Sequence, residues 1–352
     1  MKKLLLTTAA MLTISSAAFA ANTTTISQPG NDNTNTVNQS GGSKGNNDIT
    51  QAGDNNGATV TQSDDNSGDA QVNFSVINQT GDGNTANLTQ QSATVPALTF
   101  NDSNIQQAGD NNFAQVTQRN QAQNADITQD SDGNSVFLTQ GNLPDGGEVT
   151  DNNFTSITQQ GVGSHTADVG QTGDTGYIAN TQTGTGNYFY ARQQGSLNVV
   201  NGQQTGDNSA FYLFDQTNTG NNIQFDQRGN NSTVYTYQAN SASNNDIVIR
   251  QVADSSFALA YQQITANDLS DIDQSGSDHT AFTQQYFGGN AIATIKQSGS
   301  SNQTYAYQIG SNAASTIDQS GANHYAEVNQ YSAGSTANVT QSSTGNSITV
   351  NQ

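Results

Sequence analysis

Apolar side chains are sparse along this chain but regularly placed. In QAGDNNGATVTQ, residues 51–62, the alternation Ala58-x-Val60-x-Gln62 follows a polar run of Gly53, Asp54, Asn55 and Asn56. Alternate side chains of an extended segment share a face, so Ala58, Val60 and Gln62 point one way while Thr59 and Thr61 point the other. The stretch AxVxQ therefore predicts a strand of about five residues. The polar run supplies turn chemistry, with glycine for positive φ and Asn or Asp for left-handed or side-chain-capped backbone. Eleven residues, from Gln51 to Gln62, make one strand and one turn.

The same pattern returns at 79–90 (QTGDGNTANLTQ) and 107–118 (QAGDNNFAQVTQ), and its glutamines run on to Gln352. They form 14 pairs, among them Gln28/Gln39, Gln51/Gln62, Gln79/Gln90, Gln107/Gln118, Gln319/Gln330 and Gln341/Gln352. Within a pair the spacing is 11, and 12 only at Gln159/Gln171 and Gln204/Gln216. Two residues before the glutamine the side chain is Ile, Val, Leu, Phe or Ala in 24 of 28 cases, Phe214 included, which marks this position as inward-facing. The exceptions are Asn180, Gly202, Thr236 and Thr283. Glycine stands two after the first glutamine in 11 of the 14 repeats. Asparagine stands six before the second in eight, including Asn33, Asn56, Asn84, Asn112 and Asn346.

Like patterns 22 to 23 residues apart favour stacking of like on like, parallel and in register, over pairing of chain neighbours in hairpins. The expected fold is all-β: a two-sheet parallel β-solenoid of about 14 strand–turn–strand rungs, cross-β on assembly. Its repeats start near residues 26, 49, 77, 105, 127, 157, 180, 202, 225, 249, 272, 295, 317 and 339. Inward glutamine amides, stacked at the strand spacing of about 4.8 Å, would hydrogen-bond above and below. Insertions at 63–76, 91–104 and 141–156, the last two holding Pro96 and Pro144, all fall between pairs, so one edge accepts loops and the other does not.

Composition alone would suggest disorder, since apolar residues are 32% and the formal net charge is −20. The periodicity argues otherwise. Residues 1–20, with Lys2 and Lys3 before an apolar run and Ala18-Phe19-Ala20 at its end, read as a secretory signal. Its removal leaves six basic residues against 28 acidic ones, a charge of −22. Such acidity argues against nucleic acid as a partner. No later stretch has the roughly 18–20 apolar residues of a membrane span, and cysteine is absent. An exported product, soluble or assembled at the surface, is expected.

The pattern Q-x-G-x-x-N-x-x-x-x-x-Q resembles the repeat of the curlins, the subunits of bacterial curli amyloid, over nearly all of residues 26–352. The resemblance implies a secreted subunit that crosses the outer membrane through a dedicated pore and polymerises at the cell surface into biofilm fibres. Those fibres serve adhesion and aggregation, with a nucleator subunit as partner. It also implies assembly roles for terminal-repeat amides, here Gln28, Asn33, Gln39, Gln341, Asn346 and Gln352. Two features depart from the family pattern. The serine usual six before the first glutamine is found only at Ser335, with asparagine at Asn73, Asn101 and Asn153, and the first repeat begins within a few residues of Ala21, leaving little room for a pore-targeting segment. No polar cap stands outside the repeats, which also points to polymerisation through strand edges.

Other chemistry finds little support. His165, His279 and His324 occupy the asparagine slot as polar turn substitutes, rather than converging as zinc ligands would. The calcium-solenoid repeat and the common hydrolase, Walker and dinucleotide fingerprints do not occur, so no cofactor, metal or catalytic residue is expected. Tyrosines from Tyr177 onward, such as Tyr188, Tyr190, Tyr235 and Tyr237, alternate along strands and predict an aromatic stripe on an outer face. Besides a structural amyloid subunit, two readings stay open: a minor nucleator or adhesin of the same fibre, and a monomeric ligand-binding solenoid of the ice-binding kind.

Overall fold

A computed structural model describes residues 12–16, 22–40, 45–64, 73–92, 101–119, 122–141, 152–239 and 242–352. Most of the export signal, and the middles of the three insertions with Pro96 and Pro144, lie outside the described residues. The described residues contain 29 strands. The chain divides into two compact units, Met1–Ser164 and His165–Gln352.

The described residues of the first unit form twelve strands. They are β1 (Leu12–Ser16), β2 (Thr23–Ser27), β3 (Thr34–Ser40), β4 (Asn46–Gln51), β5 (Gly57–Asp64) and β6 (Phe74–Gln79). They continue as β7 (Thr85–Ser92), β8 (Asp102–Gln107), β9 (Phe113–Arg119), β10 (Asn124–Gln129), β11 (Ser135–Gln140) and β12 (Phe154–Gln159). Odd strands pair only with odd and even with even, always parallel, so two sheets alternate along the chain as the spacing predicts. The backbone of β1 comes from within the stretch read as an export signal and pairs with β3.

The second unit repeats this plan with β13 (Thr166–Gln171), β14 (Tyr177–Gln182), β15 (Tyr188–Gln193), β16 (Val199–Gln204), β17 (Ala210–Gln216) and β18 (Asn222–Gln227). It continues through β19 (Thr233–Ala239), β20 (Asp246–Gln251), β21 (Phe257–Ala266), β22 (Leu269–Ser277), β23 (Thr280–Gly289) and β24 (Ile292–Ser300). The last five are β25 (Gln303–Ile309), β26 (Ala314–Ala322), β27 (Tyr325–Gln330), β28 (Thr336–Thr344) and β29 (Ser347–Asn351). Each unit is a two-sheet parallel β-solenoid.

Register puts like on like. In the first unit Ile49, Ile77, Ile105, Ile127 and Ile157 are successive partners, each fully buried. Opposite them stand Val37, Val60, Leu88, Val116 and Leu138. The thin core is thus two facing aliphatic columns flanked by amides. The outer face of the even sheet in the second unit carries an alternating charge column: Asp226, Arg250, Asp273, Lys296 and Asp318 are successive partners. Arg250 lies 3.9 Å from Asp273. Like charges directly opposite one another would destabilise the ladder, so this order favours the observed register over a slip by one rung.

The turns are as regular as the strands. A left-handed residue recurs seven before the glutamine, as at Asp32, Asn55, Gly83, Asn111 and Gly133, and again at Asn231, Ser255, Asp278 and Asn323. Asn, Asp and Gly tolerate this conformation best, which explains their density there. The glycine two after the glutamine answers a different need. A Cβ at Gly81 would stand 2.1 Å from the carbonyl oxygen of Gly109 one rung on, so this turn stacks at the strand spacing only with glycine, while Ser131, Ala253 and Ser343 hold the same place in other rungs.

Phe214 departs from expectation. Standing two before Gln216 it should face inward, yet it is 52% exposed and Leu213 is buried in its place. The pairing of β17 with β19 shifts between Leu213 and Gln216, a β-bulge that absorbs the twelfth residue of the Gln204/Gln216 spacing.

Candidate assembly site: the amide columns

The repeat glutamines sit at the closing end of each strand, and side-chain alternation turns them inward. Gln51, Gln62, Gln79, Gln90, Gln107, Gln118, Gln319, Gln330 and Gln341 are buried, as are Gln39, Asn33, Asn56, Asn84 and Asn112. Gln28 is half-buried, while Asn346 and Gln352 are exposed.

Most of these amides use both hydrogens of Nε2. One goes to the Oε1 of the next glutamine in the same sheet: Gln28 to Gln51 at 2.8 Å, Gln51 to Gln79 at 2.7 Å, Gln79 to Gln107 at 2.8 Å and Gln107 to Gln129 at 2.9 Å. The other sheet of the first unit repeats this from Gln39 through Gln62, Gln90 and Gln118 to Gln140. In the second unit the two columns include Gln297 to Gln319 to Gln341, and Gln285 to Gln308 to Gln330 to Gln352. In all of these bonds the earlier residue donates to the later one. Within each unit the amide dipoles therefore point one way, and hydrogen bonds in such chains polarise one another.

The second hydrogen crosses the core. Gln90 donates to the carbonyl of Phe74 at 2.9 Å, Gln118 to that of Asp102 at 2.8 Å and Gln308 to that of Ile292 at 2.9 Å. Each carbonyl belongs to the first residue of the facing strand, so every such glutamine joins its own column and ties the two sheets together. Burial of an amide without partners costs about 1–3 kcal/mol, which this double use avoids.

Asparagine does more than turn the chain. The Oδ1 of Asn33 accepts the backbone N–H of Asn56 at 2.8 Å, that of Asn56 accepts from Asn84, and that of Asn84 from Asn112, each at 2.9 Å. A matching ladder in the other turn runs from Asn198 to Asn221 to Asn245 to Asp268. Sequence reasoning noted Asn73, Asn101 and Asn153 only as departures from serine. Yet Asn101 accepts the N–H of Gln123 at 3.1 Å, which makes the two turns chemically alike. The missed signal is that asparagine stands six before glutamines of both kinds.

The histidines fill this slot by the same logic. The Nδ1 of His279 accepts the N–H of Asn302 at 3.3 Å and its Nε2 meets the carbonyl of Ser275 at 2.8 Å, which requires the neutral ring protonated at Nε2. Burial lowers the pKa of His279 and outweighs the Ser275 carbonyl and the Asp278 charge, which raise it. His324 bonds Asn346 and Ser320 in the same way, and His165 accepts from Asn187. Among the described residues no three His, Cys, Asp or Glu side chains lie close enough together to hold a metal ion.

Outside the core a carboxylate column follows the turns. Asp54 Oδ1 accepts the N–H of Asn31, Asp82 that of Asp54, Asp110 that of Asp82 and Asp132 that of Asp110, all at 2.8 Å. Asn230 takes the same place for Asp207. Charge is therefore not required for this bond.

Comparison with known proteins bears on one segment. Residues 288–321 match the family model described as the curlin associated repeat. This stretch contains β24, β25 and most of β26, with Gln297, Gln308 and Gln319 in their columns. No curated protein matches the chain. Among the described residues no helix is long and apolar enough to cross a membrane.

Proposed function

We propose, from the assignment of this chain to the curlin-repeat family by its residues 288–321, that it is a secreted structural subunit assembling end to end into extracellular, curli-like amyloid fibres. The family is structural, not enzymatic. One observation supports the reading most. Every rung of a unit presents amide acceptors to one neighbour and amide donors to the other, in register with its backbone edges. A rung from a second copy carries the complementary groups, so the forces that stack rungs within a chain also stack chains. On this reading Gln28, Asn33, Gln39, Gln341, Asn346 and Gln352 are where copies meet. A biofilm matrix role, an outer-membrane secretion pore and a nucleator partner follow as parts of the same proposal.

The test is to incubate the purified mature chain at micromolar concentration. Thioflavin-positive fibres with cross-β reflections near 4.8 Å are expected, and a persistent soluble monomer would overturn the proposal. Fibres of this chain should also take up further monomer without a lag, whereas a nucleator would shorten the lag of another curlin without forming the bulk of the fibre.

A further inference from the structure

Aromatic side chains crowd the outer face of the odd sheet in the second unit. Most of the tyrosine rings there meet at a tilt, such as Tyr261 with Tyr286 at 39° and Tyr286 with Tyr307 at 55°. Two pairs differ. Tyr212 and Tyr235 have ring centroids 4.8 Å apart with planes 10° from parallel, and Tyr237 and Tyr261 are 4.6 Å apart at 8°. Both pairs are direct register partners on adjacent parallel strands. Their side chains leave the same face of the sheet from partnered positions, and the two rings of each pair lie nearly parallel, one over the other. Tyr190 is also in register with Tyr212, but the Arg192 guanidinium covers its ring at 4.5 Å.

Each ring of a pair covers one face of its partner, and Phe214 lies nearly parallel against both Tyr212 and Tyr235 with centroids 5.9 and 5.6 Å away, so the rings are engaged with one another. This arrangement preorganises a bond between the rings. We propose that Tyr212–Tyr235 and Tyr237–Tyr261 are sites of oxidative cross-linking, forming dityrosine staples between successive rungs in the presence of hydrogen peroxide and a peroxidase.

In this step each phenol loses one electron and one proton. The two phenoxyl radicals join through an ortho carbon of each ring. The ring hydrogens then move to oxygen, restoring two phenols. The two electrons and two protons removed reduce one peroxide to two waters. Burial raises the pKa of Tyr237 and of Tyr261, so both enter the reaction as neutral phenols. Tyr261 donates its O–H to Gln263 Oε1 at 2.7 Å, which fixes the ring in its stacked pose. A chain without cysteine would gain in this way the covalent ties that disulfides provide elsewhere.

The sparse basic residues make the test clean. Trypsin cuts after Arg192, Arg228, Arg250 and Lys296, separating Tyr212 (193–228), Tyr235 and Tyr237 (229–250), Tyr261 and Tyr286 (251–296) and the tyrosines of 297–352. The folded full chain is treated with hydrogen peroxide and a haem peroxidase at a concentration that keeps it monomeric, then denatured, digested and weighed. Cross-linked peptides 193–228/229–250 and 229–250/251–296, each lighter than the sum of its parts by two hydrogens, are expected to dominate. Y261F keeps the ring stack but should lose the second link and retain the first. Links mainly to 297–352, the same pattern from chain oxidised in guanidinium, or tyrosine oxidation without either link would each overturn the proposal.

Discussion

At the scale of single residues most turns aim one side-chain acceptor at a backbone N–H of the next rung, and the nature of the acceptor is adjustable. Asparagine, serine, histidine and aspartate all fill the slot, at different cost. Asp268 is the expensive case: it is 1% exposed, and its Oδ1 accepts the Ala291 N–H at 2.8 Å. Burial raises its carboxyl pKa, and the bonds to Ala291 and Thr265 lower it by less. A carboxyl with a raised folded pKa binds more protons folded than unfolded, so its contribution to stability falls as pH climbs from the ordinary carboxylate range through the raised value. D268N keeps the acceptor and removes the charge. It should stabilise the chain by about 1–2 kcal/mol at pH 7 and by much less near pH 3, read from guanidinium midpoints at both pH values. An equal gain at both would place the effect in packing instead of ionisation.

At the scale of strands and turns, most of the architecture was legible because inward glutamine and aliphatic recur at fixed offsets. What escaped has a physical reason in each case. A spacing of twelve was met in two ways: around Gln171 the extra residue lies in the turn before Thr166, whereas before Gln216 it lies in the strand as the Phe214 bulge. Both solutions satisfy the same periodicity, and with Leu213 and Phe214 both apolar hydrophobicity could not choose between them. The pairing of a missing side chain at Gly202 with the large ring of Phe225 was equally hidden. Gly202 occupies an inward aliphatic place, and a Cβ there would stand 2.1 Å from the ring of Phe225. That ring fills the vacancy and stacks on Phe211 with centroids 3.8 Å apart. Restoring the repeat with G202I should therefore destabilise by about 1–3 kcal/mol through overpacking. G202I/F225I, which rebuilds an ordinary column between Asn180 and Ile249, should recover a large part of it. Guanidinium midpoints of wild type, the two single variants and the double variant give the coupling, and simple additivity would show that ring and glycine are independent.

For the molecule as a whole the question is what restrains a chain built to stack. The carboxylates of Asp54, Asp82, Asp110 and Asp132 are held one rung apart by the backbone bonds they accept. At the strand spacing of about 4.8 Å each neighbouring pair repels by about 0.9 kcal/mol in water before screening. Every copy added in register would lengthen such columns, on a chain whose formal net charge is already −20. Asparagine keeps the bond without the charge, as Asn230 does between Asp207 and Asp254. D54N/D82N should therefore shorten the assembly lag at low ionic strength while leaving the rung geometry intact. Because the Debye length falls from about 10 Å at 0.1 M salt to about 3 Å at 1 M, added salt should shorten the wild-type lag and largely erase the difference between the two chains. Thioflavin traces across that salt series separate the possibilities. A lag indifferent to both charge and salt would mean that nucleation is limited by ordering the chain into its first rungs, with the acidic edge a spectator to it.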